Sequence, residues 1–327
     1  MATAQRPTLI DLASRLDPSG QLIHIAEVLR KKDPILDHIT WQECNKTDGF
    51  MHGVRTGIPA PTWRKMYQGV QPTKSTTATV TDTCGNLEAY AEVDKDLADI
   101  NGNTYAWRMS EQTPFFDAFA NTMAETFFYG DTDKHPERFM GLAPRYNTLS
   151  AKTPISRNVL SFGHTGSDLT SIYIVNHNVF FGIYPKASKV GLQHTDKGQV
   201  TIQAADGGNY EAYRDHYKWQ AGACLEDWRG CVRVCNLSLA KLTDGTVTAD
   251  ELIKKLIEAK NRIPSSLRQN LHMYVPEEVK TALEIAAYEK STAAVKIVEA
   301  AGQFKTHFFD IPIEVCDSIS KAEAQVK

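Results

Sequence analysis

Arg214, Asp215 and His216 stand side by side in YRDHYKW (213–219). A histidine next to a carboxylate is raw material for a general acid–base pair. In a strand, however, consecutive side chains point to opposite faces. The pair is then split, and Arg214 reads as an ion-paired structural residue. Asp131, Asp133 and His135 offer alternating donors for a cation. The later carboxylate that completes an EF-hand loop is missing, so a polar surface loop is expected. Cys224, Cys231 and Cys235 are three thiols at a spacing that matches no common zinc pattern. GHTGSD (163–168) imitates a phosphate loop but lacks the lysine that reaches a phosphate, and it reads as a turn. No G-x-S-x-G, H-E-x-x-H or G-x-G-x-x-G opening a helix is present. Neither a catalytic signature nor a cofactor or metal motif is found, so no enzyme and no cofactor are expected.

Composition narrows the classes further. The 327 residues suggest about two domains or one elaborated one. A hydrophobic content of 42% and a charged content of 23% fit a folded globular chain. Lys plus Arg is 36 against 39 Asp plus Glu, a net charge of −3. That balance argues against a dedicated nucleic-acid binder. No apolar run approaches a membrane span, and no secretory leader is visible. Six cysteines without a C-x-x-C pair read as reduced thiols of a cytosolic chain.

The elements that must position these residues fall into zones. Short helices are expected at 9–16 and 21–32, with Arg30, Lys31 and Lys32 closing the second against its dipole and Pro34 stopping it. A long helix is expected over 114–129. Thr113 is its N-cap, Pro114 its first residue, and Phe116, Ala120, Met123 and Phe127 line one face. Gly130 suits a left-handed C-terminal position. Strands are expected at 171–175 and 179–184 around a turn at 176–178, then at 199–203, 209–217 and 227–237, forming one long antiparallel sheet. Beyond it comes an α/β pattern. Thr248 and Glu251 box the start of a helix that Pro264 ends, 271–275 is a strand, Pro276 opens another helix, and strands follow at 306–309 and 311–316.

Residues 46–100 are different. Glycine and proline punctuate them, and KSTTATVTDT (74–83) favours strand without large apolar side chains. Such a ribbon buries little and is marginal alone. It is therefore expected to be an extended hairpin that packs on something else, another subunit being one candidate. Trp63, Arg64, Lys65 and Tyr67 suit a protein–protein anchor, since Trp, Tyr and Arg dominate interface hot spots. A stacking role on nucleic acid is the other use of such residues.

Several strings, read whole, resemble one family. They are RTGIPAPTWRKMYQGVQPTKSTT (55–77), GNLEAYAEVDKDLADINGN (85–103), FFYGD (127–131), FMGLAPRYN (139–147), GIYPKASKVGLQH (182–194) and YRDHYKWQAGACLEDWR (213–229). They are similar to major capsid proteins of short-tailed double-stranded-DNA bacteriophages, the epsilon-fifteen-like and Bordetella-phage-like group. The resemblance spans most of residues 8–240. It implies an α+β, HK97-like fold with an N-terminal arm (1–45), an extended E-loop (46–100), a peripheral domain with a spine helix (101–245) and an axial-type domain (246–327). The usual chain order returns to the peripheral domain at its end, so this assignment carries either an altered topology or a misplaced label.

The resemblance also implies self-assembly of hexamers and pentamers into an icosahedral virion shell, built in the host bacterial cytoplasm. Packaged DNA lies inside it without sequence-specific binding. A cement or decoration protein, a scaffold and a portal are the implied partners. The ribbon is expected to add to a neighbour's sheet along Thr76 and Thr77, with Arg64, Lys65 and Lys74 set against Glu88, Glu92 or Asp94 of another copy. The rivals are an encapsulin-type compartment and a soluble hydrolase working through His194 and His216.

Overall fold

The computed structural model describes Pro7 and residues 31–47, 49–100, 104–204, 207–289, 294–300 and 303–327. The helices expected at 9–16 and 21–32 lie outside these residues, except for Lys31 and Lys32, which are not helical.

Two sheets organise the described residues. The first contains β1 (Trp41–Glu43), β2 (Gly49–Gly57), β3 (Thr76–Asp94), β6 (Phe180–Tyr184), β7 (Gln193–Gln203) and β8 (Asn209–Leu225). Its order is β1-β6-β8-β3-β2, with β7 also on β8. The second contains β4 (Val159–Ser161), β5 (Leu169–Asn176), β9 (Val232–Ser238), β10 (Leu271–Val275), β11 (Val295–Ala300), β12 (Gln303–Phe308) and β13 (Ile311–Val315), in the order β11-β12-β13-β10-β5-β9-β4. Two corrections follow. The middle strands do not form one sheet, because β5 and β9 belong to the second and β6, β7 and β8 to the first. The expected boundary at 245/246 also cuts a continuous sheet, since β10 pairs with β5 across it.

The second sheet is covered on both faces, so β5 is buried at every position. On one face Ile172, Ile174, Val232, Val234, Met273 and Val275 pack on two helices, Ala249–Arg262 and Glu277–Glu289. Thr248 and Glu251 form the expected capping box of the first of these. On the other face Tyr173, Val175 and Tyr274 meet Phe127 and Phe128 of the long helix Thr104–Tyr129. That same helix meets Phe180, Ala221 and Ala223 of the first sheet, so it joins the two sheets.

The helix starts ten residues before the expected Pro114, which sits inside it. Its early turns are held by tertiary contacts: Trp107 is buried with Val93 and Ala98, and Arg108 pairs with Asp215 at 3.0 Å. These outweigh the bond lost at proline. Gly130 is not left-handed. It is needed for close approach, since a Cβ there would lie 2.3 Å from the Phe139 carbonyl oxygen.

Candidate assembly surface

The ribbon is the hairpin of β2 with residues 76–83 of β3, in register from Gly49 opposite Thr83 to Gly57 opposite Thr76, with an irregularity between Arg55 and Gly57. Beyond Thr83 the same strand continues into the body, pairing with β8 from Cys84 opposite Gly222 to Asp94 opposite Ala212. One 19-residue strand therefore runs from arm to body. Within the hairpin, among the described residues, β2 and the 76–83 stretch pair only with each other.

The base is anchored. Arg145 donates to Asp82 at 2.8 Å, and both side chains are largely buried. Phe50 meets Phe181 edge to face at 5.6 Å. Gly49 lets the strands close, because a Cβ would sit 2.3 Å from the Asp82 carbonyl oxygen.

Among the described residues the tip has no such anchors. Every residue from 60 to 81 is exposed. Trp63 is 101% and Tyr67 104% exposed, and Ile58 and Met66 are nearly as open. Tyr67 adopts φ 64°, which turns the loop at its apex. Arg64, Lys65 and Lys74 are exposed on the same segment. Thr76 and Thr77 lie on the open ribbon, where Thr76 accepts a hydrogen bond from Thr56 at 3.1 Å. Trp63, Arg64, Lys65, Tyr67, Lys74, Thr76 and Thr77 thus share one projecting element.

Glu88, Glu92 and Asp94 do not. They lie on the body half of β3 and are engaged within their own chain. Glu88 accepts from Asn86 at 2.6 Å, from Lys218 at 3.2 Å and lies 3.2 Å from His216. The Asn86 hydrogen bond leads in holding its carboxyl below the usual carboxylate range. Glu92 takes Arg214 at 2.5 Å. Asp94 caps the helix Lys95–Asp99 through the Asp96 amide at 2.9 Å. Sequence reasoning missed this pairing, although the signal existed. In the antiparallel register Glu88 faces Lys218 and Glu92 faces Arg214, so matched charges recur four residues apart on both strands.

The chemical candidates separate in the same way. Asp215 and His216 point to opposite faces. Asp215 lies 2.7 Å from His194 and also holds Arg108, while His216 stacks on Tyr90. Asp131 ties its own loop, taking the Asp133 amide and Lys134. Asp168 of the glycine-rich turn accepts from the Ser238 hydroxyl and the Ala240 amide. Cys231 and Cys235 are buried beside the long helix, whereas Cys224 sits in a separate cluster under the ribbon, so these three thiols do not converge. Among the described residues no helix is long and apolar enough to cross a membrane.

A family model described as major capsid protein GP7 matches residues 17–327. The cryo-EM structure of bacteriophage Epsilon15 is similar at 32% identity and a TM-score of 0.77, covering 97% of this chain and 96% of that one. The capsid of bacteriophage JBD30 is a more distant likeness, at 12% identity and a TM-score of 0.47 over 90% of this chain and 94% of that one. No curated protein matches the chain. The fold is the mixed α+β fold of HK97-like phage capsids, and the chain belongs to the major capsid protein GP7 family, whose members build the phage head shell.

Proposed function

We propose that the ribbon is the principal contact through which one copy of this subunit grips the next in a closed icosahedral shell around packaged DNA. One observation carries this reading: among the described residues, nothing covers Trp63, Met66 and Tyr67 at the end of the arm, where Met66 is 87% exposed and the two aromatics wholly so. Large apolar groups displayed together in this way mark a site that another surface covers. A nine-residue strand reaches about 30 Å, on the order of a small domain's width. An arm of that reach overlies an adjacent subunit in any closely packed shell. The unpaired ribbon edges add strand to strand, and the tip aromatics fill a pocket. Arg64, Lys65 and Lys74 complement acidic groups of the neighbour. Glu88, Glu92 and Asp94 serve mainly to brace their own chain.

Hexamers and pentamers of this chain form the shell. A scaffold, a portal and a decoration protein complete the partner set, and assembly takes place in the host cytoplasm. The net charge of −3 suits a wall that encloses DNA without holding it. The subunit is structural and not catalytic. The test is assembly of Trp63→Ala/Tyr67→Ala, followed by sedimentation and negative-stain microscopy. Folded capsomers or monomers that fail to close into shells are expected. Shells formed with wild-type yield and salt resistance would refute the reading.

A further inference from the structure

We propose that the base of the ribbon is a binding site for one thiophilic divalent cation of the zinc class, held by His52, Asp82 and Cys224. The three residues come from three neighbouring strands, β2, β3 and β8. Asp82 faces Phe50 in the ribbon register, and its carboxylate accepts the Leu225 amide at 3.3 Å, which brings the end of β8 alongside. The three side chains share one face of the sheet. Their donor atoms all lie within 4.8 Å of one another. His52 Nδ1 and Cys224 Sγ are 3.7 Å apart. A tetrahedral zinc with Zn–S about 2.3 Å and Zn–N about 2.1 Å holds those two atoms about 3.6 Å apart. The imidazole and the thiol thus already stand at ligand spacing.

The donor set selects the class of ion. Sulfur and imidazole together favour zinc-like cations, whereas calcium and magnesium demand oxygen. Cys224 is fully buried and Asp82 is 7% exposed, while His52 is half-buried and leaves a way in from solvent. Burial, then the Asp82 charge, push the Cys224 thiol up, so the sulfur is protonated when no cation is present. On binding, the S–H proton leaves to solvent and a sulfur–metal bond forms, with no change of oxidation state. Arg145 holds Asp82 Oδ1 at 2.8 Å. The carboxylate keeps lone pairs for a cation beside that contact, since each oxygen accepts more than once. A solvent molecule completes the fourth position.

Such an ion would tie the outer ribbon strand to the body strand through the strand between them. It would fix the angle at which the arm leaves the body.

The test uses the full chain, stripped with chelator and titrated with cobalt(II). One cobalt per chain is expected, with a thiolate-to-cobalt charge-transfer band and strong visible bands of a tetrahedral ion, bleached by zinc. Cys224→Ser should abolish the charge-transfer band. His52→Gln, at a half-exposed position that leaves the core intact, should weaken binding. Loss of an outer-sphere partner already costs about 10–100-fold in metal affinity, so loss of a direct ligand should cost no less. Zinc should raise the melting temperature of the wild type and not of His52→Gln. The proposal fails if the wild type shows no charge-transfer band. It fails equally if Cys224→Ser keeps the band, which would place the metal on Cys44 and Cys84, or if His52→Gln binds as tightly as the wild type. The readout is cobalt on the chain, so it stands apart from whether the ribbon makes shell contacts.

Discussion

Removing the imidazole of His177 should flatten the acid side of the stability profile. His177 is 1% exposed. Its Nε2 lies 2.7 Å from the Tyr274 hydroxyl, which also lies 3.0 Å from His38 Nδ1. His272 stacks on His38 at 3.9 Å and meets His177 edge to face at 5.3 Å. Glu314, Asp37 and Lys305 are the charged groups around His38. Burial, reinforced by the other two imidazoles, pulls His177 down from 6.5 to about 3. The unfolded chain therefore takes up a proton near pH 6.5 that the folded chain refuses. Stability from this group is complete above pH 6.5 and is lost as pH falls toward the folded value. The loss runs at about 1.4 kcal/mol per pH unit, reaching about 3 kcal/mol at pH 4.5. The assay is urea unfolding of the soluble chain at several pH values, wild type against His177→Gln. Glutamine keeps a partner for Tyr274 but cannot titrate. The variant is expected to start less stable at pH 7 and to lose about 3 kcal/mol less than the wild type on going to pH 4.5. Parallel profiles would refute the argument, because carboxylates elsewhere contribute equally to both chains.

Other substitutions test the remaining logic. Glu323 is buried and takes Arg233 at 2.7 Å and the Tyr129 hydroxyl at 2.5 Å. Glu323→Gln leaves Arg233 as an unpaired buried charge, so a loss of about 3–5 kcal/mol is expected in denaturant titration, and a change below about 1 kcal/mol would show the pair to be dispensable. Gly130→Ala drives a methyl into the Phe139 carbonyl and should cost about 1–3 kcal/mol, read as a lower melting temperature. Arg64→Glu with Lys65→Glu should leave the monomer's stability unchanged and weaken shells most at low salt, with added salt partly restoring them by screening the new like-charge repulsion, each exposed pair being worth only about 0–1 kcal/mol. An unchanged salt dependence of the shells would remove these two residues from the contact.

What the sequence disclosed depended on how local the cause was. The capping box at Thr248 and the strand Leu271–Val275 are set by their own residues, and both appear where expected. The ribbon was legible because threonine-rich, glycine-punctuated sequence has few ways to be buried. The start of the long helix was not legible, because Pro114 is a strong local signal that Trp107 and Arg108 override from a distance. β7 begins six residues before the expected 199, in polar sequence that shows no alternation and is held by the long β8 alongside it. The allocation of strands to two sheets depends on pairings between residues nearly a hundred positions apart, such as Met273 with Ile174. The site divided the same way. The exposed tip followed from composition, while the intrachain roles of Glu88 and Glu92 needed the register.

That division bears on where the energy of assembly resides. The body holds charges in matched pairs across β3 and β8, and its second sheet is packed on both faces. Among the described residues the ribbon's two outer edges pair with no other strand, and Trp63 and Tyr67 at its tip are exposed. A bare two-stranded hairpin is marginal in water, so the cost of ordering it falls due on contact unless the base already holds it. The base does hold it, through the buried Arg145–Asp82 pair and the Phe50–Phe181 contact. An arm fixed at its root presents its tip with little further entropy to lose, and preordering of that kind raises affinity without adding contacts. On the proposed role of the ribbon, assembly strength should therefore respond to substitutions at the root, Arg145, Asp82 and Phe50, as strongly as to Trp63→Ala or Tyr67→Ala at the tip.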